Sequence, residues 1–424
     1  MTTAIPEDWG LEPLGTLCSR PQYGLTETAS RAPIGPRFLR ITDIQDGDVN
    51  WESVPFCRCS QADLERHRVE RGDLLFARIG ATTGKTFLVR ECPEDAVFAS
   101  YLIRLRPHSI HERYLYYFCQ SQAYWDNVNA SKDERLKGGV NTNLLTQIQV
   151  PVPPKAEQVA IAGLLELIET AARCEFRIVR KLGDLKSGAM AKLFREGLRG
   201  EPVRQLNLSE VPESWRLAPL SEVAEIQTGV AKGRQFENTD AVEVPYLRVA
   251  NVQDGHLDLS EMKTLEIRRA ELERYTLHDG DVVLTEGGDF DKLGRGFIWR
   301  SELPLCIHQN HVFAVRTDRT VLLPEFFAYL AQSPYGKAYF LQVAHKTTNL
   351  ACINSNKLKA FPIVFPGLEE QEQVVKILDT IDQTLQLHQT RRVALECLFQ
   401  SLLQQLMTGT IRVNDLNHAE VSHA

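Results

Sequence analysis

No apolar run in this 424-residue chain approaches the roughly eighteen residues that a membrane span needs, and the first ten hold Pro6, Glu7, Asp8 and Trp9 where a secretory leader would be basic and then apolar. A cytoplasmic protein with no membrane attachment is expected. The nine cysteines are odd in number and scattered, with Cys57 and Cys59 the only close pair, so neither a disulfide framework nor a paired zinc site is indicated. Positive charge is not in excess either: 48 Lys and Arg against 55 Asp and Glu leave a net charge of −7. That excludes a protein that holds nucleic acid by bulk charge.

Catalytic signatures are missing as well. There is no N/D-P-P-Y/F segment of the kind adenine methyltransferases use, no H-E-x-x-H and no G-x-S-x-G. Gly80–Thr86 reads GATTGKT, but a Walker A motif has four residues between its glycine and the GK pair, and here there are three. The second half of the chain reads Gly294-Arg295-Gly296 and loses the lysine, so a glycine turn is expected, not a nucleotide site. His308 and His311, in the segment HQNH, stand at i, i+3, yet no third ligand lies nearby in the sequence; no metal and no cofactor are expected. Arg71-Gly72-Asp73 reads as a strand start, because its counterpart is Asp279-Gly280-Asp281.

What is present is the same text written twice. Phe38–Gly47 reads FLRITDIQDG and Tyr246–Gly255 reads YLRVANVQDG, identical at five of ten positions. Pro6-Glu7-Asp8-Trp9 matches Pro212-Glu213-Ser214-Trp215, Gly72-Asp73 matches Gly280-Asp281, and Gln120-Ser121 matches Gln332-Ser333. Val140-Asn141-Thr142-Asn143 matches Ile353-Asn354-Ser355-Asn356, and Glu157-Gln158 matches Glu370-Gln371. Matches in one order at one nearly constant offset indicate tandem duplication of a whole domain. At 43% hydrophobic content each copy can bury a core of its own. Each begins with short β-rich runs punctuated by Gly, Asp and Pro, continues through a helical stretch, and leaves by a Pro-rich strand, so its globular part is α+β.

Each copy then ends in a long helix. Positions 161, 165, 168, 172, 175, 179, 182, 186, 189 and 193 are apolar at eight of ten, and so are the positions 213 residues later, 374 to 406. A shared heptad frame of this length is a coiled-coil seam. The expected layout is circular and pseudo-twofold, with the helices antiparallel. Position 161 then faces 406, and Glu175 faces Arg392 as a register-fixing pair. The expected boundaries are 1–154 and 216–366 for the globular domains, 155–197 and 367–409 for the helices, 198–215 for the linker and 410–424 for the tail.

A duplicated reader joined by a rod suits a target with two separated half-sites, which B-DNA presents. Because the copies have diverged, the implied target is asymmetric. Neither globular copy is basic overall, with 17 basic against 19 acidic residues over 1–154 and 17 against 21 over 206–365, so any DNA face is a local patch. In copy one the candidates are Arg20, Tyr23, Arg31 and Arg37 in the early loop, Arg78 and Lys85 at the glycine turn, and Lys132, Arg135, Lys137 and Asn141 in the late loop. In copy two they are Lys232, Arg234 and Gln235, then Lys292 and Arg295, then His308, Gln309 and His311, then His345, Lys346, Thr347 and Asn349. Arg, Gln, Asn and Lys can each present donors to base edges or phosphates.

The duplicated F/Y-L-R-φ-x-φ-Q-D-G strand, GDLLFARIGATTGK at Gly72–Lys85, PPKAEQVAIA at Pro153–Ala162, PGLEEQEQVVKILDTID from Pro366 and the Gly409–Val413 segment GTIRV together resemble the specificity (S) subunit of type I restriction-modification systems, over almost the whole chain. The resemblance implies a non-catalytic subunit. Each target-recognition domain would read half of a bipartite double-stranded DNA site, while the helices set the gap and dock two methyltransferase (M) subunits that recruit the restriction (R) subunits. Copy two departs from the pattern at Glu286 and in GGDFDKLGRG, two residues longer than in copy one, so a contact assigned to Arg78 does not carry over. The competing expectations are a two-headed protein-interaction scaffold and a fused DNA methyltransferase or nuclease.

Overall fold

The computed structural model describes residues 5–45, 47–133, 139–231, 240–288, 293–346 and 351–415, without the side chains of 131–133 and 346. It divides into two compact units, Met1–Phe176 with Thr390–Ala424, and Arg177–Gln389.

In the first unit the strand Leu74–Ala77 lies between Thr86–Leu88 and Leu102–Leu105, and Gln22–Tyr23 adds to the far side of the latter, all antiparallel. Leu74 and Phe76 point into one core, Leu75 into another, so both faces of the strand are covered. That is why its sequence is a continuous apolar run and not an alternation. The second unit repeats the order with Ala224–Thr228, Val312–Thr317, Val282–Thr285 and Gly296–Ile298. Asp73 and Asp281, both buried at the start of the central strands, accept from Arg106 Nε at 2.7 Å and Arg316 Nε at 2.8 Å.

The duplicated FLRITD and YLRVAN segments each form the end of a strand and a 3-10 turn. The strands pair in parallel, Arg37–Leu39 with Ala96–Phe98, and Tyr246–Leu247 with Ile307–His308. The shared arginine closes the turn: Arg40 donates backbone N–H and Nε to Asp43, and Arg248 does the same to Asn251. Nearby, a Cβ at Gly24 would stand 2.3 Å from the Phe98 carbonyl oxygen, and one at Gly229 would stand 2.1 Å from that of His308. Only glycine permits that backbone approach.

A helix pair follows in each unit, Glu112–Phe118 with Gln122–Asp133, and Pro324–Gln332 with Pro334–Val343. Next come the strands Gln149–Val152 and Pro362–Phe365, and then the helices Lys155–Glu196 and Leu368–Met407, of 42 and 40 residues. The Glu-Gln pair at each helix start is structural. Buried Gln158 accepts from His111 N–H at 2.8 Å and donates to the Pro153 carbonyl; buried Gln371 accepts from Leu323 N–H at 2.9 Å and donates to the Val321 and Pro366 carbonyls. Each thereby satisfies backbone groups that burial would otherwise orphan.

All ten seam positions of each long helix are buried or half-buried, whereas Leu167, Leu185, Leu387 and Leu398, outside the seam, are exposed. In the first unit Ile161, Leu165 and Ile168 share a core with Phe399, Leu403 and Leu406. In the second, Met190, Leu193 and Phe194 share one with Val374, Val375 and Leu378. Arg392 pairs with Glu396 at 3.6 Å, and its guanidinium lies 5.9 Å from the Phe176 ring centre.

Candidate nucleic-acid interface

The central strand of each sheet runs out at a position held by two backbone hydrogen bonds. In the first unit Arg78 N–H donates to the Tyr101 carbonyl at 2.9 Å, and the Arg78 carbonyl accepts from Val140 N–H at 3.0 Å. In the second unit Glu286 N–H donates to the His311 carbonyl at 2.9 Å, and its carbonyl accepts from Ile353 N–H at 2.8 Å. The sheet registers, Ala77 opposite Leu102 and Thr285 opposite Val312, continue one step to set Arg78 against Tyr101 and Glu286 against His311.

Around Arg78 the surface is aromatic and cationic. Its exposed guanidinium lies 4.8 Å from the centre of the Tyr23 ring, a cation–π contact that orients the fork without using its donors. Tyr101 and Ile79 are also exposed. Sequence reasoning missed both; what marks Tyr101 is its place across the ladder from Arg78, a long-range pairing.

Segment 80–85 is a tight turn. Gly80 and Gly84 take φ of +88° and +91°, Thr83 Oγ donates to the Gly80 carbonyl at 2.7 Å, and the chain passes directly into the strand Thr86–Leu88. A phosphate cradle needs a helix N-terminus at this point, and the chain has a strand there. Lys85 is exposed at the end of the turn.

The other candidates separate by environment. Arg20 and Arg31 are exposed, and Arg31 lines a cleft of about 690 Å³ with Arg37 and Arg40. Arg37 is engaged with its own fold, donating to the Val54 carbonyl at 2.6 Å with its guanidinium 4.1 Å from the Phe56 ring centre. Asn141 caps the helix Thr142–Gln147, its Oδ1 accepting from Leu144 N–H at 2.8 Å, as Asn354 does for Ser355–Lys359. Half-buried Arg295 donates to Gln253 Oε1 at 3.2 Å. His345 is exposed on a two-residue strand with Lys346. Lys132 lies in the helix Gln122–Asp133. Arg135, Lys137, Lys232, Arg234, Gln235, Lys292, Thr347 and Asn349 lie outside the described residues.

The HQNH segment requires a correction. His308 is fully buried, its Nδ1–H donating to the Val312 carbonyl at 2.7 Å, and Gln309 is also buried. Burial holds the His308 imidazole below its ordinary pKa. It stands in the parallel pairing where the first unit has Phe98, so it is a core residue closed to DNA. His311 is exposed, with Nδ1 2.6 Å from Glu286 Oε2. Among the described residues no group of three His, Cys, Asp or Glu is placed to hold a metal, and no helix is long and apolar enough to cross a membrane.

The short helices Glu112–Phe118 and Pro324–Gln332 are tied to the long helices by matching contacts. Tyr117 OH donates to Glu169 Oε2 at 2.9 Å, and Tyr329 OH to Asp379 at 2.7 Å and Asp382 at 2.8 Å. Tyr117 packs edge-on to Phe399, while Lys186, in the corresponding place, lies over Tyr329. The far ends of the helices are fastened in the same way: Arg412 donates to Glu157 Oε2 at 2.6 Å, and Arg199 lies 3.1 Å from Glu370 Oε2.

The pattern of the type I restriction modification DNA specificity domain matches residues 42–174 and 212–397. The chain is 24% identical to the type I restriction enzyme EcoKI specificity subunit of Escherichia coli K12, over 89% of this chain and 82% of that one. It is 24% identical to the MjaVIII specificity subunit of Methanocaldococcus jannaschii, over 82% and 81%. In fold it is similar to the type I restriction-modification S subunit from M. genitalium, with a TM-score of 0.58 and 13% identity over 96% of this chain and 97% of that one.

Proposed function

The chain belongs to the type I restriction modification DNA specificity family, and from that premise we propose that it is the non-catalytic subunit that chooses the DNA sequence for a type I restriction-modification complex. Each globular part reads one half of a bipartite, asymmetric duplex site. The two long helices pair as an antiparallel coiled coil in a circular, pseudo-twofold layout, with Glu175 opposite Arg392. They set the gap between the half-sites and dock two methyltransferase subunits, through which restriction subunits join.

One observation carries this reading: the same sheet end occurs twice, built by the same backbone bonds, with different side chains displayed. Two similar scaffolds with different displays suit two different half-sites. The heptad seam, shielded along its length in both helices, supports the pairing, and the equivalent Glu157–Arg412 and Glu370–Arg199 contacts support the circular order. With no net positive charge, the grip on phosphates is shared with partners while exposed loops select bases.

The test is a gel shift with the full chain, alone and with its methyltransferase subunits. Saturable binding to one bipartite duplex, lost when either half is scrambled, is expected. Absence of any DNA preference with the partners present would establish a protein scaffold instead, and methyl transfer by this chain alone would establish an enzyme.

A further inference from the structure

The equivalent positions Arg78 and Glu286 carry opposite chemistry. A guanidinium only donates hydrogen bonds; an ionised carboxylate only accepts them. In the major groove guanine offers the acceptors O6 and N7, whereas cytosine offers the N4 donor. We infer that Arg78 and Glu286 are specificity-determining side chains at one equivalent place in each reader, Arg78 selecting a guanine edge and Glu286 a cytosine edge. The inference rests on the DNA-reading function proposed above and assigns it to two atoms groups of opposite polarity.

The surroundings favour base edges over phosphates. A carboxylate facing a polyanion is repelled unless a base donor satisfies it, so Glu286 penalises every sequence without that donor. His311 Nδ1, 2.6 Å from Glu286 Oε2, orients the carboxylate from the opposing strand. The Tyr23 ring, 4.8 Å from the Arg78 guanidinium, does the same for Arg78. Both are positioning residues. Glu286 is shielded enough to be held, at 27% side-chain exposure, and His311 more open, at 56%.

The experiment selects bound sequences from a pool of randomised duplexes, using the full chain with its methyltransferase subunits, as wild type, Arg78→Gln, Glu286→Gln and His311→Gln. Each of the first two variants is expected to lose roughly 10- to 100-fold discrimination at one base pair of one half-site, a different half for each. His311→Gln should weaken the Glu286 preference without replacing it. The unaffected half-site reports that the variant is folded. Uniform weakening with both half-site preferences intact would mean phosphate contact and overturn the inference alone. A wild type that selects no bipartite site would overturn the functional reading and this inference with it.

Discussion

The Lys186 ammonium lies 2.7 Å from the Asp382 carboxylate, one residue on each long helix. The pair is shielded, at 17% and 25% side-chain exposure, and Asp382 also accepts from Tyr329 OH, whose own ionisation burial and the carboxylates push upward. Both long helices and the helix Pro324–Gln332 of the second unit therefore meet at one carboxylate. Lys186→Met should destabilise the second unit by about 1–3 kcal/mol, the cost of leaving a shielded hydrogen-bonding group without its partner. Urea unfolding of Lys186→Met, Asp382→Asn and the double variant would measure this as a coupling energy. Strict additivity would show that the pair contributes nothing.

His308 makes stability depend on pH. Above about pH 6.5 its imidazole is neutral in both folded and unfolded chains. Below that value the unfolded chain takes up a proton that the core resists, since burial outweighs the favourable Val312 carbonyl and Asp281 and adds to repulsion from Arg316. The second unit should thus lose stability as pH falls below about 6.5. His308→Phe, which installs the residue found at Phe98, should flatten that dependence. Urea midpoints at about pH 7.5 and about pH 5.5 decide it; an unchanged difference between the two would refute the assignment.

Segments near the two ends of the sequence, around Asp8 and Arg412, meet within the first unit. Arg412 donates to both Asp8 carboxylate oxygens, at 2.9 and 2.8 Å, and Gly409 stands against Pro6. A circular permutant that joins the old ends and opens the turn between the strands Val203–Gln205 and Glu210–Pro212 should fold and retain DNA selection. Its thermal melt should overlay that of the parent. Arg412→Ala should speed proteolytic cleavage near the N-terminus, and cleavage at the parental rate would show that the contact does not hold the segment.

Deleting one heptad from each long helix removes about 10 Å of rod, some three base pairs of B-DNA. The preferred gap between half-sites should shorten accordingly in duplex selection. An unchanged gap would disprove the ruler role.

The sequence by itself determined the duplication, the α+β character of each copy and the two long helices, because periodicity and repeated motifs are local properties of the chain. It also marked Glu157-Gln158 and Glu370-Gln371 as matching pairs, without disclosing that the glutamines satisfy buried backbone groups. Tertiary structure alone decided which polar residues face outward. HQNH reads as a polar segment offered to DNA, but the strand Ala241–Leu247, some sixty residues away, draws His308 into the core and leaves His311 outside. Arg37 and Asn141 read as free donors, while the fold engages one with a carbonyl and the other as a helix cap. The constant offset already set Glu286 against Arg78, and the fold adds the shared backbone bonds that hold both at the same sheet end. Burial and hydrogen-bond satisfaction depend on partners distant in sequence, and only the folded chain brings those partners together.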